Sequence, residues 1–232
     1  MSVWCVLLAA GRGSRSGLDE NKVFFRWKGR SVLSRCLDAL AEAGIYDGIV
    51  LVLSEGDMPA YRALVAREGA CPLVKRVVSG GASRRESGYN GLRALPGDVE
   101  IASVHDAARP FVTAEIIRAT VEDARRYGSG VISTPVVDTI KQIDPETHEV
   151  TTPERSRLRA VQTPQVFTAD LLKAALQSVL EKGGEVTDDC GAVELLGKAV
   201  YLTEGEETNL KITTPGDLVL AEAILKDREE RA

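Results

Sequence analysis

The chain has 232 residues, 44% of them hydrophobic and 27% charged, which is enough to bury one large α/β core or two small ones. A formal net charge of −5 argues against nucleic acid as a partner, so phosphate binding has to rest on individual arginines and lysines. Four scattered cysteines (Cys5, Cys36, Cys71, Cys190) without a CxxC spacing, and only His105 and His148 as histidines, exclude a disulfide framework and a structural zinc site and point to the reducing cytoplasm.

The apolar run that ends at Ala10 lacks a basic leader and is too short to span a bilayer, so neither a signal peptide nor a membrane helix is expected. Val3–Ala9 reads as a buried parallel strand followed by a Gly-rich turn. Ser31 then precedes Val32, Leu33, Cys36, Leu37 and Leu40 at helical spacing, and Gly44 ends that helix. Gly48–Leu53 is a second buried strand, Pro59–Glu68 a helix, Lys75–Val78 a short strand and Ser83–Leu95 a helix. Glu100–His105 and Gly130–Ser133 are strands on either side of a Thr113–Tyr127 helix. Helices follow near Ala169–Leu180, Asp188–Leu196 and Gly216–Lys226, with short strands at Ala199–Leu202 and Leu210–Ile212.

This alternation predicts an α/β fold: a single Rossmann-like domain over residues 1–232, its mostly parallel sheet covered by helices on both faces. Ligands in such sheets sit at the carboxyl ends of the strands. Residues 136–160 break the rhythm. Val136–Ile143 and Glu149–Thr152 flank the turn Asp144-Pro145-Glu146-Thr147, predicting a protruding β-hairpin arm with few large apolar residues and a need for something to pack against.

The loop after the first strand carries Ala9, Ala10, Gly11, Gly13, Arg15 and Lys22. Small residues let backbone N–H groups approach phosphates, and the two cations add fixed positive charge. A plain βα turn with solvated basic residues is the competing reading. The dinucleotide fingerprint fails because its third glycine falls on Ser16, and a P-loop fails because Val23 follows Lys22.

Seven stretches occur in one order along the chain: LAAGRGSR (8–15), GGASRRESGYNGL (80–92), VHDAARP (104–110), VDTIK (137–141), QTPQVF (162–167), TDD (187–189) and NLKITTPGDL (209–218). In them the sequence resembles the 2-C-methyl-D-erythritol 4-phosphate cytidylyltransferase family of non-mevalonate isoprenoid biosynthesis. It departs from the family's usual residues at Asn21 and Val23, where Pro and Gln flank the loop lysine, and at Ala82, where an acidic residue is common.

The resemblance implies attack by a phosphate-monoester oxygen of a small sugar-alcohol phosphate on the α-phosphorus of CTP, with Mg²⁺ or another divalent cation. Arg15 and Lys22 match transition-state stabilisers at the triphosphate. Lys211 matches a group at the α-phosphate, and Arg155 the arginine that holds the acceptor phosphate, with Arg157 and Arg159 close enough to confuse the register. Gly81 and Ser87 match residues that read cytosine; Ala9, Ala10, Gly11 and Gly13 match the nucleotide loop, and Ala107 a position near the ribose. Asp106, Arg109, Thr139 and Thr163 match the acceptor side, Asp106 being also the candidate metal ligand, although the cation is expected to be held mainly by substrate phosphates. His105 reads as an orienting or structural residue rather than a base, and Thr187-Asp188-Asp189 as an N-cap for the next helix. In the family the hairpin swaps across a two-fold axis, which implies a homodimer in which Thr139 and Arg155 complete the partner's acceptor site.

Three other readings remain. A ribitol 5-phosphate cytidylyltransferase shares the loop and the cytosine pocket. An NAD-dependent reductase predicts the glycine fingerprint that is missing here. A non-enzymatic nucleotide-binding module does not need Arg15, Lys22, Arg155 and Lys211 together.

Overall fold

Both faces of the first strand are apolar, so it lies in the middle of the sheet. In a computed structural model describing residues 2–11, 21–183 and 186–231, β1 (Ser2–Leu8) turns Val3, Cys5 and Leu7 to one face and Val6 to the other. Arg12, Gly13, Ser14, Arg15, Ser16 and the residues up to Glu20 lie outside the described residues, so the expected roles of Gly13 and Arg15 are not addressed by the geometry.

The remaining elements follow in chain order. β2 (Arg26–Trp27) and β3 (Arg30–Ser31) form a small hairpin that runs into α1 (Val32–Glu42), whose N-cap Ser31 accepts from Ser34 N at 3.1 Å. β4 (Gly48–Leu53) is buried at every position; α2 (Met58–Glu68) and β5 (Val74–Ser79) come next. α3 (Arg84–Arg93), capped by Ser83, leads to β6 (Val99–Asp106), and α4 (Ala114–Tyr127), capped by Thr113, leads to β7 (Ser129–Pro135). β8 (Gln142–Ile143) and β9 (Val150–Thr151) pair antiparallel. β10 (Arg159–Thr168), α5 (Ala169–Lys182), α6 (Asp189–Leu195), β11 (Leu202–Glu204) and α7 (Pro215–Arg231) complete the chain.

The seven-stranded sheet has the order β11-β7-β10-β6-β1-β4-β5, and every pair in it is parallel except those made by β10. From β1 the chain moves outward through β4 and β5, then returns to β6 on the other side of β1. That reversal opens a crevice at the carboxyl ends of β1 and β6. α1, α2 and α4 cover one face through Leu33, Leu40, Leu64 and Ile117; α3, α5 and α6 cover the other through Leu92, Leu172, Leu176 and Val193. Each such side chain, removed fully from water, stabilises the fold by about 1.5–3 kcal/mol before entropy is counted. No helix among the described residues is long and apolar enough to cross a membrane.

Four expectations about elements need correction. β10 was not expected: RAVQTPQVFT holds a proline and several polar residues, yet it fills the antiparallel slot between β6 and β7. The strand expected at Leu210–Ile212 does not form; that segment is extended loop, tied by Ile212 N to Ala108 O at 2.9 Å rather than by a ladder. The strand expected at Ala199–Leu202 forms later, over Leu202–Glu204, where it can pair with Val131–Ser133. The hairpin strands shrink to two residues each, because exposed residues there have no third strand to pack on.

Candidate active site

The crevice is assembled by one row of backbone hydrogen bonds across the strand ends. Ala107 N donates to Leu8 O at 2.9 Å, Ala9 N to Val52 O at 2.8 Å and Gly80 N to Leu53 O at 2.8 Å. Ala9, Ala107 and the Gly80–Gly81 pair are thereby held side by side. A Cβ on Gly80 would lie 2.7 Å from Ala10 Cβ and 2.8 Å from Ser87 Oγ, and one on Gly81 would lie 2.2 Å from Glu86 Cβ. Only glycine lets this wall close. Ser87 is buried, and its Oγ accepts from Gly81 N at 3.1 Å, which ties α3 to the double glycine.

The departures from the family's usual residues do structural work at this site. The Asn21 side chain, buried before Lys22, donates to Ala9 O at 2.8 Å and to Asp57 Oδ2 at 2.8 Å, and accepts from Val23 N at 3.3 Å. It therefore joins the end of the first strand to the short 3₁₀ turn Lys22–Phe24 that carries Lys22. At Ala82, whose own side chain offers no carboxylate, the backbone N–H is satisfied instead by Glu86 Oε2 at 2.8 Å.

Asp106 ends β6 at the reversal point. Its Oδ2 accepts from Lys211 Nζ at 2.6 Å, and Arg84 Nη2 stands 3.5 Å from Oδ1. Burial alone would raise the Asp106 pKa, but Arg84, Lys211 and Arg109 together hold it down to about 2. Arg84 acts on it through charge alone, and Lys211 through both charge and a hydrogen bond. Lys211 is aimed by its loop: Asn209, fully buried, donates to Gln162 Oε1 at 2.9 Å and to Thr163 O at 3.0 Å, and its own carbonyl accepts from Arg109 Nη1 at 2.8 Å.

A bulge in β10 brings Thr163 to the same place. The register of β10 against β7 shifts between Val161 and Gln165, and the Thr163–Pro164 peptide within it is cis. Thr163 Oγ1 accepts from Asp106 N at 3.1 Å and lies 3.1 Å from His105 Nδ1, whose other ring nitrogen lies 3.1 Å from Arg109 O. A carbonyl can only accept, so Nε2 carries the proton and Nδ1 accepts from the threonine hydroxyl. Both ring nitrogens of His105 are thus engaged within the protein, which fits an orienting or structural residue rather than a base. Burial, ahead of the neighbouring charges, lowers its pKa from 6.5 to about 4.

The neutral His105 gives a pH signature. Below 6.5 the unfolded chain takes up a proton that the folded chain refuses until about 4, so stability declines across that window. This one group accounts for a loss of about 3 kcal/mol. Urea midpoints measured from pH 7 to pH 4 should fall steeply for the native chain. His105→Gln should start lower at pH 7 and fall less over the same range; parallel curves would reject the assignment.

Two expected site residues stand elsewhere. Thr139 and Arg155 lie on the exposed segment around β8 and β9, and Arg155 Nη1 donates to Val137 O at 2.8 Å. The register among the three arginines narrows: Arg159 is engaged by Ser133 and Glu204, while Arg155 and Arg157 share the exposed 3₁₀ turn at the base of the arm. A metal held by protein does not fit the residues at the crevice. Among the described residues no group of three His, Cys, Asp or Glu could hold an ion, and Asp106 is already engaged by Lys211 and Arg84.

Two charged residues of the site escaped the sequence reading. Arg84 lies inside the GGASRRES block and Asp189 inside the TDD block, and they form an ion pair at 2.9 Å with Asp189 almost fully buried. Asp188, the other acid of that block, is the cap: its Oδ1 accepts from Gly191 N at 2.9 Å. A helix cap needs one acid, so the second acid of the doublet was the available signal.

The profile of the 2-C-methyl-D-erythritol 4-phosphate cytidylyltransferase family matches residues 3–227. The chain belongs to that family. A relative of this name from Desulforamulus reducens is 41% identical over 227 residues, covering 98% of this chain and 97% of the relative. One from Symbiobacterium thermophilum is 42% identical over 222 residues, covering 96% and 92%. Among solved structures, the 4-diphosphocytidyl-2C-methyl-D-erythritol synthase of Anaerococcus prevotii superposes with a TM-score of 0.85 at 31% identity, covering 97% of this chain and 98% of that one. The 2-C-methyl-D-erythritol 4-phosphate cytidylyltransferase of Thermus thermophilus gives a TM-score of 0.79 at 34% identity, covering 97% and 100%. Membership of this cytidylyltransferase family explains why the glycine fingerprint of a reductase is missing.

Proposed function

We propose that the chain transfers the cytidylyl group of CTP to 2-C-methyl-D-erythritol 4-phosphate, releasing pyrophosphate and 4-diphosphocytidyl-2-C-methyl-D-erythritol for isoprenoid synthesis. The observation that carries this is the strand-end wall of Ala9, Ala10, Gly80, Gly81 and Ser87, with the Asp106–Lys211 pair in the same crevice of a chain that matches the family from end to end. A small pyrimidine fits a wall closed by glycines, and the Gly81 and Ser87 polar groups supply its hydrogen bonds. Full-length likeness to proteins named for methylerythritol phosphate favours that acceptor over ribitol phosphate.

The nucleophile is already an anion, so the protein's task is to bring two polyanions together and stabilise the charge that develops at phosphorus. Lys22, Lys211 and, by family resemblance, Arg15 supply that charge around the triphosphate, whose loop includes Gly11 and Gly13. Ala107 bounds the ribose side. Asp106 and Arg109 stand on the acceptor side, and Thr163, whose hydroxyl is taken up by Asp106 N and His105, holds the Asp106 backbone in place. The divalent cation, Mg²⁺ in this reading, enters with CTP as part of the substrate and is held by phosphate oxygens. The chain works as one nucleotidyltransferase domain with a dimerisation arm over 136–160. The arms of a homodimer exchange so that Thr139 and Arg155 complete the partner subunit's acceptor site. The compartment is the cytoplasm, consistent with four free cysteines.

Pyrophosphate release measured with each of the four ribonucleoside triphosphates, with methylerythritol phosphate or ribitol 5-phosphate as acceptor, tests this reading. Turnover is expected with CTP and methylerythritol phosphate. Preference for ATP or UTP would overturn the cytosine assignment, and preference for ribitol phosphate would overturn the acceptor.

A further inference from the structure

The TDD block contributes more than a cap. Gln165 in β10 donates to Asp188 Oδ2 at 2.9 Å and accepts from Cys190 N at 3.0 Å, so α6 starts at a position set by the same strand whose bulge carries Thr163. Asp189, the first residue of α6, is almost fully buried, and burial pushes its carboxyl pKa up against the pull of Arg84. An acid in that setting is costly unless its partner is fixed. Its ion-pair partner is Arg84, which is itself oddly placed: a cation in the first turn of α3 faces the positive end of the helix dipole. Arg84 tolerates the position because it has carboxylates on two sides, Asp189 at 2.9 Å and Asp106 at 3.5 Å.

The two cations on Asp106 use different oxygens. Lys211 takes Oδ2 and Arg84 approaches Oδ1. Lys211 sits on a half-exposed side chain at the end of a loop, whereas Arg84 is tied to a buried acid. When Lys211 turns its Nζ onto a substrate phosphate, its three donors are shared out and its hold on Asp106 is loosened. If nothing else held that carboxylate, the move would leave a buried charge poorly paired.

We propose that Arg84, anchored by Asp189, is a positioning residue: it keeps Asp106 paired and oriented while Lys211 turns to the substrate phosphate. No bond is made or broken by Arg84; the Lys211–Asp106 pair loosens as Lys211–phosphate forms, and Arg84–Asp106 persists. This rests on the reading of Lys211 and Asp106 as substrate-side groups.

Steady-state kinetics with CTP and methylerythritol phosphate, on chains whose melting temperatures are also measured, test the idea. Arg84→Met should lower kcat by about tenfold or more, with the KM for CTP changing far less. Asp189→Asn should act in the same direction, and Arg84→Lys should restore part of the loss because it keeps the charge but not the two-sided reach. The decisive measurement is the double variant: if Arg84 acts through Asp106, Arg84→Met costs less than about twofold when Asp106→Asn is already present. An equal loss in both backgrounds overturns the proposal, since Arg84 would then act on substrate directly or only hold the fold. An Asp106→Asn chain with unaltered kcat removes the substrate-side reading of Asp106 and the proposal with it. Wild-type kcat in Arg84→Met overturns the proposal while leaving that reading intact.

Discussion

Lys211→Ala is expected to lower kcat by about two to three orders of magnitude while changing the KM for CTP much less. One preorganised charge aimed at a developing oxyanion is worth about that much once bound substrate has displaced the water around it. Lys211 is preorganised by its surroundings rather than by its own helix or strand. Ile212 N is tied to Ala108 O, Asn209 to the β10 bulge, and the ammonium group to Asp106 at 2.6 Å. The lysine loses little entropy when it moves a short distance to a phosphate. Lys211→Arg should recover only part of the rate, because a planar fork does not replace a compact ammonium at the end of this loop. Single-turnover measurements separate the chemical step from product release. Unchanged single-turnover rates in Lys211→Ala and Lys22→Ala would remove the proposed mechanism.

Deleting residues 140–152 should convert a dimer into a monomer that still binds CTP but does not couple it to the acceptor. Each strand of the arm is two residues long, and Val137, Ile143 and Val150 are 68%, 60% and 59% exposed. A two-stranded ribbon of that kind is marginal in water by itself, so its apolar side chains call for a second surface. No side chain of the deleted segment belongs to the three buried clusters, so the melting temperature of the rest should fall only slightly. Sedimentation gives the oligomeric state, and pyrophosphate release at saturating CTP gives the coupling. A monomer with full turnover would reject the exchange of arms. A dimer with full turnover would move the interface elsewhere on the surface.

Much of the core was legible because local chemistry and final environment agree. Continuous apolar runs at Val3–Leu8 and Gly48–Leu53 have one stable home, between two layers of helices. Ser31, Ser83, Thr113 and Asp188 cap helices where a short polar side chain precedes an apolar stripe. The double glycine and the Ala9–Ala10 pair announced a close approach of backbones, and the strand ends supply it. Asp106 and Arg109 from one block, and Thr163 and Lys211 from two others, do meet around one carboxylate or its hydrogen-bonded neighbours.

Other features depended on partners that no short window contains. β10 is a strand because β6 and β7 leave a slot that only an antiparallel segment fills, and its buried Gln162, Thr163 and Gln165 bond to β6, α6 and the Asn209 loop rather than to solvent. Leu210–Ile212 has the look of a strand and remains a loop, since no neighbour offers it a ladder.

By itself the sequence determined the layered α/β fold and the family chemistry, because periodicity, caps and small-residue loops act over a few residues. Tertiary structure decided which charges meet. Arg84 reaches Asp189 across 105 positions and Asp106 across 22, and Lys211 reaches Asp106 across 105. Ion pairing depends on distance and desolvation, and both exist only after the sheet has closed.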